Sequence, residues 1–376
     1  MTQRLKVLLL IPHLGGGGAE QVTATLARNL SRRKYELHLA LVTKSNPGAQ
    51  SLPWRVSLHT LNASRTRSGA LRLLRLVRSL KPDVVLSGMA HLNFLVLLLR
   101  PFFPRATRVL VRQNGTASAE LASARHPSVT RLLYRSLYSR ADRVICQTPA
   151  MAKDLCAEFG IPEEKLLVLP NPVDSATIRT TVDSSPSPWT KFGSASAGPH
   201  LLAVGRLSLE KGFDLLLNAL VTVRKQFPNA QLVIAGAGPE EAALKTLCDE
   251  TGLDSAVHFA GYIDRPSEYF SGASLFVVPS RHEGLPNALL EAAASGLPIV
   301  ATPASEGMID LLRGQPGAWL AKEITAAALA DSLQSALTFL RPGQRFPHIF
   351  VDQFSLDRAI PAYEALIDTT FKESAQ

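Results

Sequence analysis

Cysteine, charge and long apolar runs are all scarce in this 376-residue sequence. Its three cysteines, Cys146, Cys156 and Cys248, are too few and too scattered for a disulfide framework or a metal cage, which favours a reducing compartment. The apolar run at residues 94–99 is far shorter than the roughly 20 residues of a membrane-spanning helix. The apolar N-terminus ends in glycines rather than in a cleavage site, so we expect a first strand instead of a signal peptide. A soluble or peripheral protein is predicted.

Signatures of two common chemistries are also missing. The glycines at residues 15–18 are contiguous and lack the G-x-G-x-x-G spacing, and no acidic residue ends the second strand, which excludes a nicotinamide-dependent oxidoreductase. No Asp-x-Asp motif and no histidine cluster indicates a metal site. An apolar fraction of 46% with only 19% charged residues excludes a disordered chain and is typical of a well-packed α/β protein.

Charge is distributed unevenly along the chain. Residues 1–175 carry 25 Lys and Arg against 10 Asp and Glu, whereas residues 176–376 carry 15 against 21. The first half is therefore suited to an anionic partner and the second is not. Nucleic acid is a poor candidate, because no aromatic-studded basic strand, zinc pattern or helix-turn-helix motif accompanies the charge.

Short β-rich runs alternate with helical stretches in the first half of the chain, and the same alternation is repeated in the second half. In the first half, strand-like runs such as KVLLLIP and DVVLSGM are separated by helical stretches at residues 19–31, 71–80 and 131–139. A connection with two prolines and a Ser/Pro/Gly-rich loop follows, and the second half resumes with HLLAVGRL, QLVIAGAG and LFVVPS. Further helices are predicted at residues 213–226, 240–251 and 287–294. Alternating strands and helices predict parallel sheets covered on both faces.

The length of the chain and this repeated rhythm predict two domains. We assign residues 1–172 to an N-terminal domain and residues 173–354 to a C-terminal domain. The predicted fold class is α/β, with two Rossmann-like, doubly wound parallel sheets facing a central cleft. Ligands of such sheets bind at the carboxyl ends of the strands, so the candidate residues are sought there.

Gly15, Gly16 and Gly17 follow the first strand and open a helix. Exposed backbone N–H groups and the helix dipole at such a point can hold a phosphate. A plain flexible turn explains the glycines equally well.

Two cations, Arg206 and Lys211, join a strand end to a helix in VGRLSLEKG. They suit a diphosphate, which arginine binds through two parallel hydrogen bonds and lysine neutralises as a point charge. The alternative is a pair of surface salt bridges to Glu210 or Asp214.

Two carboxylates, Glu283 and Glu291, stand eight residues apart in PSRHEGLPNALLEAAASGLP. Glu283 lies in a loop that leads into a helix N-terminus near Asn287, where an anion would be favoured. Glu283 would then face the group attached to the phosphates, and Glu291 would accept hydrogen bonds from a ribose diol. Alternatively, Glu283 only satisfies the helix dipole and Glu291 is solvated.

These motifs, together with LVIAGAGPEEAALKTL and VHFAGYID, resemble the retaining glycosyltransferases of family 4, which have the two-domain GT-B fold. The resemblance covers nearly the whole chain and is most specific over residues 201–302. It implies that the N-terminal domain of residues 1–172 binds the acceptor and that the C-terminal domain of residues 173–354 binds the donor. It implies that Glu283 contacts the transferred sugar, Glu291 contacts the nucleotide ribose, and Arg206 and Lys211 neutralise the diphosphate.

The resemblance also implies further donor contacts and the course of the reaction. The nucleotide base is expected at Tyr262 and Ile263, the loop of residues 15–17 closes over the donor, and the C-terminal segment of residues 355–376 returns to the first domain. Retention is expected by front-face attack, with the departing phosphate as base and Glu283 not acting as a nucleophile. No metal or other cofactor is expected, since the nucleotide sugar, most simply a UDP-sugar, is a substrate.

Two positions depart from the family pattern. Many members carry several histidines where this chain has DVVLSGMAHLN, but only His91 remains here, as a contact to the acceptor or reacting sugar or as a structural residue. Relatives often have Glu-Gly-Phe-Gly where this chain has EGLP. Because Pro286 has no N–H, the phosphate cradle is expected to use Gly284, Leu285 and Asn287.

The acceptor is expected on the basic first half. Arg112 and Asn114 follow another strand of that half and are predicted acceptor contacts, although Asn114 also suits a turn. Arg72, Arg75 and Arg78 alternate with leucines, and Phe102 and Phe103 stand beside Arg100 and Arg105.

Such mixed basic and apolar surfaces suit an anionic membrane, although an ordinary amphipathic helix packed on the sheet has the same pattern. A polyprenyl-diphosphate-linked sugar, or a glycan, is the expected acceptor. The protein is then expected to be cytoplasmic and peripheral on the inner face of the cytoplasmic membrane.

Two classes of function therefore remain from the sequence. The first is a hexosyl- or N-acetylhexosaminyltransferase of cell-surface glycan biosynthesis. The second is a non-catalytic sensor or partner subunit that binds sugar nucleotides on the same scaffold.

Overall fold

The computed structural model of the chain describes residues 4–15, 17–43, 56–184, 188–189, 198–263 and 265–373. It divides into two compact units. Unit 1 comprises residues 1–172 and 356–376, and unit 2 comprises residues 173–355.

Unit 1 is built on a seven-stranded sheet in the order β3-β2-β1-β4-β5-β6-β7. Every neighbouring pair of strands is parallel. The strands are β1 (Leu5–Ile11), β2 (Tyr35–Leu41), β3 (Ser57–Thr60), β4 (Val84–Ser87), β5 (Arg108–Arg112), β6 (Arg143–Cys146) and β7 (Leu166–Val168). The helices are α1 (Gly18–Asn29), α2 (Ala70–Leu80), α3 (Ala90–Leu99), α4 (Ala117–Ala122), α5 (Pro127–Leu137), α6 (Pro149–Phe159) and the terminal α14 (Leu356–Lys372).

The central strands of unit 1 are buried on both faces. Residues 7–11 of β1 are fully buried in an almost continuous apolar run, which is the pattern of a parallel strand covered by helices on both sides. One apolar cluster fills each face of the sheet. The terminal helix α14 contributes Ile360, Tyr363 and Ile367 to one of these clusters, so the last segment of the chain completes the core of unit 1.

Unit 2 repeats this plan on a six-stranded sheet in the order β10-β9-β8-β11-β12-β13, again with parallel neighbours. Its strands are β8 (His200–Val204), β9 (Gln231–Ala235), β10 (Val257–Gly261), β11 (Leu275–Val278), β12 (Ile299–Ala301) and β13 (Ala318–Leu320). Its helices are α7 (Ser175–Ser184), α8 (Phe213–Gln226), α9 (Glu241–Thr251), α10 (Ser267–Phe270), α11 (Asn287–Ala294), α12 (Glu306–Leu312) and α13 (Ala326–Phe339).

Both sheets reverse their strand order at one point, which is between β1 and β4 in unit 1 and between β8 and β11 in unit 2. The order of unit 2 is that of the Rossmann fold, and unit 1 adds one strand to it. The predicted fold class, two doubly wound α/β sheets, is confirmed. Ligands of such sheets bind outside the carboxyl ends of the strands that flank the reversal, so the loops after β1, β4, β8 and β11 are the places to examine.

Candidate functional site

In unit 2, the loops after β8 and β11 bring together residues that are far apart in sequence. Lys211 lies in a short 3₁₀ turn after β8, and Glu283 lies in the loop after β11. The Nζ of Lys211 donates to Oε1 of Glu283. The Oγ of Ser280, a residue that is only 2% exposed, donates to the same oxygen at 2.9 Å. The predicted cation and the predicted carboxylate therefore form one hydrogen-bonded cluster at the reversal point of the sheet.

Gly212 explains how the two loops approach so closely. It has a φ of +65°, and a Cβ at this position would overlap the carbonyl oxygen of Pro279. A left-handed backbone conformation at a position without room for a side chain requires glycine. The Lys211–Gly212 sequence therefore supplies both the cation and the backbone contact beside it.

Arg206 differs from Lys211 in its surroundings. It lies two residues after the end of β8, and its side chain is exposed. Among the described residues, no side-chain hydrogen bond or ion pair engages its guanidinium. The alternative ion pairs with Glu210 and Asp214 are not formed by either cation. Glu210 instead accepts a hydrogen bond from Ser208 Oγ at 2.6 Å, and Asp214 pairs with Arg281.

The second predicted carboxylate, Glu291, is buried inside α11 with 8% of its surface exposed. It is therefore not a solvated helix residue. Of the predicted cradle, Gly284 and Leu285 are buried in the loop, and Gly284 accepts a hydrogen bond from Ser305 Oγ at 2.9 Å. The helix α11 begins at Asn287, with no side-chain cap and no acidic residue in its first turn. This helix N-terminus has the polarity that favours an anion.

The predicted base-binding residues follow β10, on the side of the sheet away from β11. Tyr262 is 51% exposed and Ile263 is partly buried. Both lie at a carboxyl strand end, like Arg206 and Glu283. All of the predicted donor residues in unit 2 therefore lie at or beyond the carboxyl ends of its strands.

Arg281 lies in the loop after β11, and Asp214 lies in the first turn of α8, just beyond the loop after β8. Neither was among the predicted site residues. Nη1 and Nη2 of Arg281 donate to Oδ1 and Oδ2 of Asp214 at 2.7 and 2.6 Å. Partial burial would raise the pKa of the Asp214 carboxyl, but the hydrogen bonds and charge of Arg281, together with hydrogen bonds from the backbone N–H groups of Asp214 and Leu215, hold this pKa below its ordinary value. The only sequence signal was the position of Arg281 two residues before Glu283.

In unit 1, the side chains of His13 and Glu20 contact the glycine loop that follows β1. The backbone N–H of Gly15 donates to His13 Nδ1 at 3.1 Å, and Glu20, which is 6% exposed, lies against Gly17 and 3.6 Å from His13 Nδ1. An acid in the first turn of α1 already complements the helix dipole there. Phosphate binding by Gly15 and Gly17 stays a prediction, and Gly16 lies outside the described residues.

His91 stands on the other side of the same reversal point. It follows β4 in the first turn of α3 and is exposed. Desolvation by its surroundings and the nearby His13 both lower its pKa, which favours the neutral imidazole at pH 7. His13 was not among the predicted residues, although its place between β1 and the glycines was a usable signal.

Arg112 and Asn114 are bound to each other and to their own unit. Arg112 is 3% exposed, and its guanidinium donates to Oδ1 of Asn114 and Oδ1 of Asn171. Asn114 donates to the carbonyl oxygen of Gly88. These contacts tie the ends of β4 and β5 together, and an acceptor contact by either residue stays a prediction.

The basic surface of unit 1 follows the sequence pattern only in part. Arg72, Arg75 and Arg78 are exposed on α2, while Leu73 and Val77 on its other face join the core. Leu71 and Phe102 are 67% and 55% exposed. The expectation for Phe103 and Arg100 is wrong, because Phe103 is buried and Arg100 pairs with Asp142 at 3.0 Å.

A pocket of about 480 Å³ lies beside α2. Its lining is both basic and apolar and consists of Leu58, His59, Thr60, Leu61, Asn62, Arg72, Arg75 and Leu76. Arg72 Nη1 donates to the carbonyl oxygens of Leu61 and Asn62, whereas Arg78 Nε donates to that of Phe102 at 3.0 Å, away from the pocket. Arg75 is therefore the exposed cation of this pocket that has no such backbone bond among the described residues.

Two features are absent from the described part of the chain. None of its helices has the length and hydropathy of a membrane span. Among the same residues, no group of three or more His, Cys, Asp and Glu side chains has the arrangement of a metal site.

Comparison with known proteins gives matches over most of the chain. The family model described as Glycosyltransferase Family 4 matches residues 16–177, and the model described as Glycosyl transferases group 1 matches residues 198–338. The matched segments fall in unit 1 and unit 2 respectively, apart from the last few residues of the first match.

Individual relatives match at modest identity over most of their length. The chain is 28% identical to the N-acetylgalactosamine-N,N'-diacetylbacillosaminyl-diphospho-undecaprenol 4-alpha-N-acetylgalactosaminyltransferase of Campylobacter jejuni, over 81% of this chain and 83% of that protein. It is also 28% identical to the lipopolysaccharide core biosynthesis glycosyltransferase LpsE of Rhizobium meliloti, over 94% of this chain and 97% of that protein.

Solved structures share the fold at lower identity. The crystal structure of Anabaena HepE in complex with UDP and glucose matches with a TM-score of 0.80 at 16% identity, over 97% of this chain and 100% of that chain. Sucrose-phosphate synthase from Thermosynechococcus elongatus matches with a TM-score of 0.81 at 17% identity, over 98% and 100%.

Proposed function

The chain belongs to the family 4 glycosyltransferases, and from that premise we propose that it is a retaining enzyme that moves a sugar from a UDP-sugar to a lipid-linked or polysaccharide acceptor. The proposed reaction serves the assembly of a cell-surface glycan. The observation that carries the proposal is the cluster of Lys211, Glu283 and Ser280 beside the exposed Arg206, at the reversal point of the sheet of unit 2.

The chemistry of sugar transfer requires the charges that this cluster offers. When the bond to the anomeric carbon breaks, negative charge develops on the leaving diphosphate, and fixed cations and backbone N–H groups stabilise it. In the proposal, Arg206, Lys211 and the N-terminus of α11 supply these groups. Glu283 holds the transferred sugar, Glu291 accepts hydrogen bonds from the ribose, and Tyr262 and Ile263 hold the base.

These cations do the work that a divalent metal does in other transferases, so we propose that the reaction needs no metal or other cofactor. Retention follows if the acceptor hydroxyl attacks from the face that the diphosphate leaves and passes its proton to the departing phosphate oxygen. Glu283 then stabilises positive charge on the sugar without acting as a nucleophile, and no covalent glycosyl-enzyme forms.

Two relatives support the choice of acceptor and donor. The Campylobacter protein is named for a diphospho-undecaprenol substrate, and HepE was crystallised with UDP. We extend these features to this chain as a polyprenyl-diphosphate-linked or glycan acceptor and a UDP-linked hexose or N-acetylhexosamine. Gly15, Gly17, His91, Arg112 and Asn114 of unit 1 are the residues proposed to contact donor or acceptor.

A lipid-linked acceptor places the enzyme at a membrane surface. We propose that unit 1 docks on the anionic inner face of the cytoplasmic membrane through α2 and the pocket beside it. Exposed Leu71 lies on α2 together with Arg75 and Arg78, and Arg78 Nε donates to the carbonyl oxygen of exposed Phe102. Such a combination binds through apolar burial and electrostatic attraction together.

The test is a screen of the purified protein against UDP, GDP and their glucose, galactose and N-acetylhexosamine derivatives. A ligand of the native state raises Tm by mass action, and hydrolysis of the same sugar nucleotides, with and without EDTA, reports catalysis. Stabilisation by UDP together with EDTA-insensitive release of sugar supports the enzyme. Stabilisation without hydrolysis or transfer to any lipid-linked acceptor supports the alternative, a non-catalytic sugar-nucleotide sensor or partner subunit.

A further inference from the structure

Arg281 joins the loops after β8 and β11 at several points. Its guanidinium forms two parallel hydrogen bonds to the carboxylate of Asp214, at 2.7 and 2.6 Å. Nη1 also donates to the carbonyl oxygen of Leu209 at 2.9 Å. The backbone N–H of Arg281 donates to the carbonyl oxygen of Glu210 at 2.7 Å. Arg281, in the loop after β11, therefore contacts two residues of the loop after β8 and one residue in the first turn of α8.

These contacts enclose the cation of the proposed site. Leu209 and Glu210 directly precede Lys211, and Asp214 follows it by three residues in the first turn of α8. On its own loop, Arg281 stands two residues before Glu283. The bonds of Arg281 thus fix the backbone on both sides of Lys211 relative to the backbone that carries Glu283.

The relative orientation of the Arg281 and Asp214 side chains is better defined than that of an ordinary surface ion pair. An exposed Lys–carboxylate pair contributes little and varies in geometry, whereas a guanidinium bound at both oxygens of a carboxylate has a defined orientation. The side chains of Arg281 and Asp214 are 26% and 36% exposed, so solvent screens the pair and its effect on overall stability is small. The hydrogen bonds from Arg281 to the carbonyl oxygens of Leu209 and Glu210 add constraints on the loop that do not depend on the charge of Asp214.

We propose that Arg281 and Asp214 are positioning residues, which set the distance and angle between Lys211 and Glu283 so that both meet the same donor. The inference rests on the proposed function, because it assigns Lys211 to the diphosphate and Glu283 to the sugar. Arg281 and Asp214 do not touch the donor themselves in this proposal. They act through the Lys211–Glu283 pair.

The kinetic test uses Arg281→Lys, which keeps the charge but loses the two-bond geometry, and Asp214→Asn, which keeps the shape but loses the charge. Because small displacements of positioned groups are costly in the transition state, we expect kcat for UDP-sugar hydrolysis or transfer to fall about tenfold in each. The KM for the UDP-sugar should change less than about threefold. The exchanged double variant, Asp214→Arg with Arg281→Asp, should recover part of the lost kcat.

Glu241→Gln is the matched control, since it breaks the ion pair of Glu241 with Lys245 on α9, outside the site. It should leave kcat unchanged. If Arg281→Lys and Asp214→Asn lower Tm but keep the wild-type kcat, the pair is only structural and the proposal is overturned.

A second measurement does not depend on activity. In protein labelled with ¹⁵N-lysine, the Nζ resonance of Lys211, assigned by its loss in Lys211→Arg, should shift in Asp214→Asn and stay in place in Glu241→Gln. An unshifted resonance in Asp214→Asn overturns the positioning role. If the wild-type protein neither binds UDP nor cleaves any UDP-sugar, the proposed function fails, while the resonance still decides whether Asp214 positions Lys211.

Discussion

Lys211 and Glu283, which are 72 positions apart in the chain, form an ion pair between the loops that follow β8 and β11. Their side chains are 24% and 11% exposed, so the charge of Lys211 is already partly balanced within the protein. Arg206 is exposed and has no such partner among the described residues. Of the two cations, Arg206 is therefore expected to contribute more to neutralising a leaving diphosphate.

Arg206→Ala should lower kcat by roughly 100-fold or more, the cost of removing one donor to a developing negative charge. Arg206→Lys keeps a point charge but loses the two-bond geometry, so its kcat should lie between that of Arg206→Ala and that of the wild type. Steady-state kinetics with the best UDP-sugar provide the measurement. Unchanged kinetics in Arg206→Ala would contradict the assigned role.

Glu291→Gln should weaken UDP binding by about tenfold, because a hydrogen bond to a charged acceptor contributes about 1.5–3 kcal/mol. Titration calorimetry with UDP measures this. The exposed Glu250→Gln on α9 is the matched substitution and should bind UDP like the wild type. Equal affinities in all three proteins would remove Glu291 from the binding site.

Gly212→Ala should destabilise unit 2 by about 2 kcal/mol or more, because it combines a left-handed backbone with overlap against Pro279. Gly252→Ala is the control, since Gly252 has a φ of +69° but nothing within 4 Å of its added Cβ. The difference in Tm between the two variants isolates the overlap. If both lose the same Tm, the close approach of the two loops is not what requires Gly212.

Glu120→Gln should change stability in a pH-dependent way. Burial raises the pKa of Glu120 above its ordinary value, despite hydrogen bonds from Tyr134 at 2.5 Å and Gln113 at 3.1 Å that oppose the rise. A raised carboxyl pKa means that the folded state disfavours ionisation, so the contribution of Glu120 to stability is largest below its unfolded pKa and declines as pH rises through the folded value.

Glu120→Gln replaces the titrating carboxyl with a neutral amide, so the stability of the variant relative to the wild type should increase as pH rises. The difference in Tm between Glu120→Gln and the wild type should become more positive from pH 4 to pH 8, as thermal melts across that range would measure. A difference that is constant with pH, or that becomes more negative, would show that the Glu120 carboxyl has no raised pKa.

Arg75→Ala should weaken binding to vesicles that contain phosphatidylglycerol, and the binding should fall as salt is added. Arg78→Ala removes the same charge from the same helix, but Arg78 is bonded to the carbonyl of Phe102, so it should have the smaller effect. Cosedimentation with anionic and with phosphatidylcholine vesicles provides the measurement. Binding that never occurs, or that survives high salt, would contradict docking through this surface.

Local pattern was enough to predict much of unit 2. The helices expected at residues 213–226 and 287–294 are present as Phe213–Gln226 and Asn287–Ala294, because turn residues mark their starts and apolar residues recur along one face. The run at residues 94–99 lacks such signals. It is helical within α3, but an almost uniformly apolar segment has no period by which a helix can be recognised.

The sequence by itself determined the family, the two doubly wound sheets and the residues that end their strands, because these follow from short motifs and from hydrophobic periodicity. Only the tertiary structure decided which side chains pair. Glu283 pairs with Lys211, and Asp214 pairs with Arg281. Arg112 is buried and donates to Asn114 and Asn171. Side-chain partners from different strand ends meet only when parallel strands align their carboxyl edges. The number of residues between two such partners does not predict that they will be in contact.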